Sequence, residues 1–144
     1  MISINPYLNF MGNTEDAMNF YKNVFGVEFN AFQRFNESPG HEKMAKNEQT
    51  MIMHASIPMG KQNTLMATDT LESMGMELNA GNNFYICVNT ESEQETDDYF
   101  NKLSENGKIE MPLNKTFWGA YCGMCRDKFG IQWMINFDLK EVTK

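Results

Sequence analysis

The stretch NPYLNFMGNTEDAMNFYKNVFG, residues 5 to 26, decides how this chain is read. Tyr7 to Phe10 follows Pro6 and carries two aromatics, as the start of a strand does. A helix comes next. Asn13 or Thr14 caps it, Glu15 and Asp16 sit by the positive end of its dipole, and Ala17, Phe20 or Tyr21, and Val24 recur at helical spacing. Gly26 supplies a left-handed stop. The pattern then returns. Phe84 to Asn89 reads as a strand, Ser92 with Glu95 forms a capping-box pattern ahead of a helix bearing Tyr99, Phe100 and Leu103, and Gly107 ends that helix as Gly26 ends the first. Tyr99 stands 79 positions after Phe20 and Gly107 81 positions after Gly26. Spacing this constant marks an internal duplication.

Around these anchors each half adds three strands. In the first half, Val27 to Phe35 alternates in the manner of a strand, and Met51 to Ile57 turns through Pro58-Met59-Gly60 into Asn63 to Thr68. The polar, Pro/Gly-bearing stretch Asn36 to Gln49 is read as a loop or lid, and Asp69 to Asn82 as the connection between halves. In the second half, Lys108 to Met111, Ala120 to Arg126 and Ile131 to Asn136 supply the matching strands. Each half is therefore β-α-β-β-β, and the fold class is α+β. With 144 residues, 42% of them hydrophobic, the chain is long enough for one real core. The expectation is one domain over 1–144, with module one at about 1–70 and module two at about 82–138.

Charge narrows the partners. A formal net charge of -7 and a pI near 4.8 repel phosphate backbones and anionic lipid heads, so neither nucleic acid nor a membrane surface is an expected partner. The opening MISINPYLNF has neither the basic region nor the long apolar run of an export signal, and a cytoplasmic address follows. Cys87, Cys122 and Cys125 are an odd set in such a chain and are expected to be reduced. Thirteen methionines suit an adaptable apolar cavity, although ordinary core filling is the simpler reading.

Three stretches carry a resemblance: NPYLNFMGNTEDAMNFYKNVFG at 5 to 26, IMHASIPMG at 52 to 60, and MPLNKTFWGAYCGMCRDKFGIQWMINF at 111 to 137. In them the chain resembles the vicinal oxygen chelate superfamily of glyoxalase I, bleomycin-resistance proteins and extradiol dioxygenases. It is most similar to the PhnB-like branch, whose members often carry a demethylubiquinone methyltransferase label. The resemblance implies two paired modules whose mixed sheets curl around a cup, usually in a homodimer. It also implies divalent-metal ligands at inward positions on the first, fourth, fifth and eighth strands, which registration places at Pro6, Met66, Asn83 and Gln132. Proline and methionine bind no hard cation, and one or two amide oxygens are too few for a divalent metal. No metal and no cofactor is therefore expected.

Candidate ligand-binding residues are Tyr7, Asn9, His54, Asn83, Trp118 and Gln132. His54 lies inside a predicted strand and is a candidate general base, or a buried histidine satisfied by a carbonyl. Trp118, beside Gly119, could stack on a planar ligand or simply pack. Tyr7 and Asn9 share one face of the first strand, and Asp69, ending the fourth, could anchor a ligand or cap a turn. Along the eighth strand alternation sets Gln132 and Trp133 on opposite faces; if Gln132 occupies the ligand position that the resemblance implies, it faces the cup and Trp133 the helix side. Cys122-Gly-Met-Cys125 matches C-x-x-C, but on a strand residues three apart point to opposite faces, which favours packing over redox or zinc chemistry. The Phe10–Thr14 junction lacks the G-x-G of a nucleotide-type cofactor fold. Two functions remain in view: a metal-independent binder of a small organic molecule, and a lyase, isomerase or divergent metalloenzyme of the same superfamily.

Overall fold

The computed structural model of the chain describes residues 2–139. It divides into two compact units with the boundary between Asn79 and Ala80. The first contains β1 (Tyr7–Phe10), α1 (Thr14–Phe25), β2 (Ala31–Arg34), a short helix α2 (Lys46–Gln49), β3 (Ile52–Met59) and β4 (Asn63–Asp69). The second contains β5 (Ile86–Asn89), α3 (Glu93–Ser104), β6 (Lys108–Lys115), β7 (Ala120–Arg126) and β8 (Gln132–Asp138). Each unit holds one four-stranded mixed sheet, ordered β1-β4-β3-β2 in the first and β5-β8-β7-β6 in the second. In both, the outer strand that opens the unit pairs parallel with the last strand, and the remaining pairs are antiparallel. The duplication read from aromatics and glycines is thus a duplication of topology, and the fold is the expected α+β pair of β-α-β-β-β units.

In the first unit α1 packs on β3 and β4. Its buried Ala17, Met18, Tyr21 and Val24 meet Leu8, Phe10, Ala55, Ile57, Leu65 and Ala67, all at most 5% exposed. The alternation along each strand therefore sends these residues to the helix and their neighbours to the opposite face. Gly26 ends α1 in the left-handed region at φ 66°, with its N–H donating to the Lys22 carbonyl. The entry to α1 is secured from a distance. Asp69, 3% exposed at the end of β4, accepts Gly12 N at 2.8 Å, Thr14 N at 3.1 Å and Thr14 Oγ1 at 2.7 Å on one oxygen, and Ile52 N at 2.9 Å on the other. It takes the role expected of an Asn13 or Thr14 cap, for Asn13 makes no side-chain cap bond.

Three local expectations change. Gly107 does not end α3 as Gly26 ends α1: Asn106, at φ 60°, takes the left-handed turn instead. Gly107 is required by space, because a Cβ there would stand 2.2 Å from the Arg126 carbonyl oxygen. Pro58 belongs to β3 rather than to the turn, paired with Thr64. β2 reaches only as far as Ser56, so the proline lies where one side of β3 has no ladder to lose. The stretch expected as a loop or lid folds into two single turns of 3-10 helix and α2. It is pinned by Glu48, whose buried carboxylate accepts Ser73 N at 3.2 Å and the Ser73 hydroxyl, and by Arg34, which donates to the Thr50 carbonyl at 2.9 Å. This insert has no counterpart in the second unit, so the offset between equivalent elements falls from 79 at the helix starts (Thr14, Glu93) to 68 at the third strands (Ile52, Ala120).

In the second unit Ser92 Oγ caps α3 by accepting Glu95 N at 3.0 Å, and Glu95 reaches back to Glu91 N at 3.0 Å, one residue earlier than a standard capping box. Two contacts fix which face of the sheet meets α3: Tyr121 OH donates to Asp97, and a Cβ at Gly123 would touch Phe100. Trp133, fully buried, pairs with Cys125 on that face and donates its indole N–H to Asp127 at 2.8 Å. Asp127, 3% exposed, also accepts Phe129 N and Ile131 N, closing the β7–β8 turn. β6 is an edge strand with register shifts at Ile109/Met111 and Met111/Asn114, and Pro112 sits in the second of them.

Candidate functional site

The face of the first sheet turned away from α1 gathers three of the residues singled out from sequence. Tyr7 and Asn9 pair with Met66 and Thr68 on β4, and His54 pairs with Gln33 on β2. The Tyr7 hydroxyl lies 3.5 Å from His54 Nδ1, with the rings 5.9 Å apart and tilted by 56°. A phenol donating to Nδ1 leaves Nε2–H of the neutral imidazole as a donor for a ligand. Asp69, by contrast, points to the helix side, and its structural role as a cap is the one the fold uses.

The face of the second sheet turned away from α3 is organised in rows, because paired residues share a face. Arg126 and Gln132 form one row. Cys87, Met134, Met124 and Met111 form the next across β5, β8, β7 and β6. The first row is polar and interlocked. Gln132, 5% exposed, accepts Arg126 Nη2 at 2.9 Å on Oε1 and donates Nε2 to the Phe84 carbonyl at 2.6 Å. Arg126 Nη1 donates to the Gly130 carbonyl at 3.1 Å, and Arg126 Nε stands 3.9 Å from Glu110 Oε2. Glu110 Oε1 accepts the Tyr85 hydroxyl at 2.5 Å, a bond that holds the phenol pKa above its ordinary value. The register shift beside Ile109 leaves Glu110 without a β7 partner and free to reach this cluster.

At the positions that the resemblance marks for metal ligands, Pro6, Met66, Asn83 and Gln132, the side chains are a ring, a thioether and two amides. Met66 N donates to the Pro6 carbonyl at 3.0 Å, and these two side chains offer a thioether and a ring. Asn83 is exposed in the bend before β5. Gln132, the best remaining oxygen, already has a guanidinium on it, and a cation placed there would meet a fixed positive charge. Among the described residues no three His, Cys, Asp or Glu side chains come together for a metal ion.

Not every chosen residue converges. Trp118 is 56% exposed in the β6–β7 turn, edge-on to a 97% exposed Phe117 with centroids 5.0 Å apart. That turn adjoins the Ala120–Asp138 end of the sheet, opposite to Gln132. Tyr85, Glu110 and Arg126 were not singled out from sequence. Arg126 could have been found, since it faces Gln132 directly across the short Asp127–Ile131 turn.

Cys122 and Cys125 are fully buried on opposite faces, paired with Asn136 and Trp133, while Cys87 is exposed. Burial pushes the Cys125 thiol up to about 12, so this group favours the fold below pH 9 and withdraws that support between there and 12. A thiol reagent at neutral pH should therefore titrate one sulfur per native chain and all three of the free cysteines after denaturation. Rapid reaction of two or more in the native protein would contradict this packing.

Two β-α-β-β-β units with identical strand order define a protein of the glyoxalase/bleomycin-resistance fold. The chain belongs to the family described as 3-demethylubiquinone-9 3-methyltransferase, whose profile matches residues 2–136. It is similar to protein YjdN of Escherichia coli (strain K12), at 32% identity over 98% of this chain and 99% of the relative. Among solved structures it is similar to protein PA1353 from Pseudomonas aeruginosa, with TM-score 0.85 and 35% identity over 96% of this chain and 98% of that one. The PhnB protein from Bacillus cereus matches with TM-score 0.73 and 27% identity, over 94% and 99% of the two chains. A glyoxalase/bleomycin resistance protein/dioxygenase family enzyme from Burkholderia phytofirmans PsJN, at 17% identity, TM-score 0.62 and 92% and 97% coverage, shares the fold. The family's description names a methyltransferase, but two four-stranded mixed sheets are not the doubly wound parallel sheet on which nucleotide-type cofactors bind.

Proposed function

We propose that this chain is a metal-independent binder of a small organic molecule. The observation that carries the reading is the fate of Gln132: at the position that the superfamily resemblance marks for a metal ligand, both polar atoms of its amide are committed, Oε1 to Arg126 and Nε2 to the Phe84 carbonyl. Within the first unit we assign ligand contacts to Tyr7, Asn9 and His54; within the second, taken by itself, the candidates are Asn83 and Gln132, while Trp118 stands at the other end of that sheet. A homodimer and a cytoplasmic address complete the proposal. Exposed Phe117 and Trp118 support the former, and the acidic charge with three free cysteines supports the latter.

Protein purified from its host without chelators should contain far less than one equivalent of any transition metal, and denaturing it should release an organic compound detectable by mass spectrometry. A stoichiometric metal that survives gel filtration would overturn the proposal. The Tyr7–His54 contact favours one further reading, a metal-free lyase or isomerase with His54 as base. Under that reading His54→Ala abolishes turnover of the released compound; under the binding reading there is no turnover to abolish, and the variant only weakens retention.

A further inference from the structure

We propose that the face of the second sheet turned away from α3 takes an amphipathic zwitterion of the amino-acid type, with its charged head at Arg126 and Glu110 and its apolar body on the methionine row. The proposal rests on the binding function above and names the class of guest for part of that site. It starts from a contrast between two Arg–Glu pairs. Arg34 and Glu15 close into a bidentate contact at 2.8 and 2.9 Å, which spends both charges on each other. Arg126 and Glu110 stay 3.9 Å apart and make no hydrogen bond to each other. Each is instead positioned by other groups: Arg126 by Gly130 O and Gln132 Oε1, Glu110 by the Tyr85 hydroxyl.

Both keep capacity. A guanidinium has five N–H donors, of which Arg126 gives two to oxygens of the described residues, and among those residues Glu110 Oε2 accepts no hydrogen bond. Their side chains are 30% and 23% exposed, so solvent or a ligand reaches them. A fixed positive and a fixed negative charge side by side, each with spare valence, are the complement of a carboxylate and an ammonium joined by one carbon. Lys108, opposite Arg126 on β6, adds a second cation on the carboxylate's side.

The apolar half comes from the register. One same-face step along the strands from Arg126 and Gln132 lie Met124 and Met134, continued by Met111, all half-buried. Same-face neighbours on a strand are about 7 Å apart, close to the span from an amino-acid head to the middle of its side chain. Thioethers make a soft floor that accepts aromatic or branched groups alike. This gives a function to the methionine excess that core filling leaves open, since these three are not in the buried core.

The test is calorimetric titration of the full chain with three probes of one shape: L-phenylalanine, hydrocinnamate, which lacks the ammonium, and phenethylamine, which lacks the carboxylate. L-Phenylalanine should bind at least about tenfold tighter than either. Glu110→Gln should erase its advantage over hydrocinnamate, and Arg126→Gln its advantage over phenethylamine. Because Arg126 supports the β7–β8 turn, circular dichroism checks its fold, and the Glu110 variant at an edge strand carries the result if the other unfolds. Equal affinity for the three probes, no binding of L-phenylalanine, or an advantage over hydrocinnamate that survives Glu110→Gln overturns the inference. Should one of these occur while the purified protein still releases a different organic compound, the binding function stands and only this assignment of its guest falls. A stoichiometric metal would remove both.

Discussion

Asp69→Ala is expected to cost about 3–5 kcal/mol, enough to leave a domain of ordinary stability near or beyond its threshold. The carboxylate is 3% exposed and receives three backbone N–H groups and one hydroxyl, from Gly12, Thr14 and Ile52. Methyl at that place satisfies none of them, and each buried donor left without an acceptor costs roughly 1–3 kcal/mol, less what entering water restores. The loss is more than a cap. Asp69 ties the end of β4 to the start of α1 and to the start of β3, three segments that meet at one edge of the first unit. Urea unfolding of the variant should show the lowered midpoint, and amide exchange at Thr14 and Ile52 should accelerate first. Asp69→Asn, which keeps one acceptor, should fall between. A loss under about 1 kcal/mol for the alanine variant would mean that the hydrogen bonds assigned to Asp69 do not hold this junction.

The second large effect is expected at Asp127, which has the corresponding burial in the other unit but different work. It accepts Phe129 N at 2.8 Å, Ile131 N at 3.1 Å and the Trp133 indole at 2.8 Å. Asp127→Ala should destabilise by about 3 kcal/mol, since two turn amides and a buried indole lose their acceptor together. Trp133→Phe isolates the indole share and should cost about 1–3 kcal/mol, part of it from volume. Fluorescence reads the site directly. In a Trp118→Phe background the only tryptophan left is the fully buried Trp133, whose emission should be blue-shifted and should move to the red in Asp127→Ala well before the rest of the sheet melts. Unchanged emission in that variant would refute the proposed anchoring.

How far the sequence could be read depended on how local the cause was. Helix starts, Gly26 and the alternation along β7 and β8 are local, and they come out where the residues put them. Glycine is the usual left-handed residue, so the sequence points to Gly107 as the second-half helix stop, whereas an asparagine one position earlier does that job and the glycine is held by the backbone of Arg126. α2 escaped notice because four residues give no periodicity, and its anchor Glu48 finds its partner Ser73 some 25 positions away. The site divides in the same way. Tyr7, Asn9 and His54 could be placed on one face by counting alternate residues. Glu110 could not, since its direction depends on a register shift that strand periodicity does not encode, and without Glu110 Tyr85 does not stand out, whereas Arg126 was within reach through its place opposite Gln132. Asp69 was open between ligand anchor and cap, and four hydrogen bonds from neighbouring segments place it as the cap.

The irregular outer strand of the second sheet has a bearing on how the protein behaves in a crowded solution. A regular strand at that margin would present a straight line of unsatisfied amides and carbonyls, on which another chain could template itself. Pro112 removes one of those amides, the two dislocations in β6 break the line, and Lys108 and Lys115 put like charges at its ends. The same kink that turns Glu110 inward therefore discourages stacking of copies into fibres, so straightening β6 to improve its pairing would be expected to trade solubility for order.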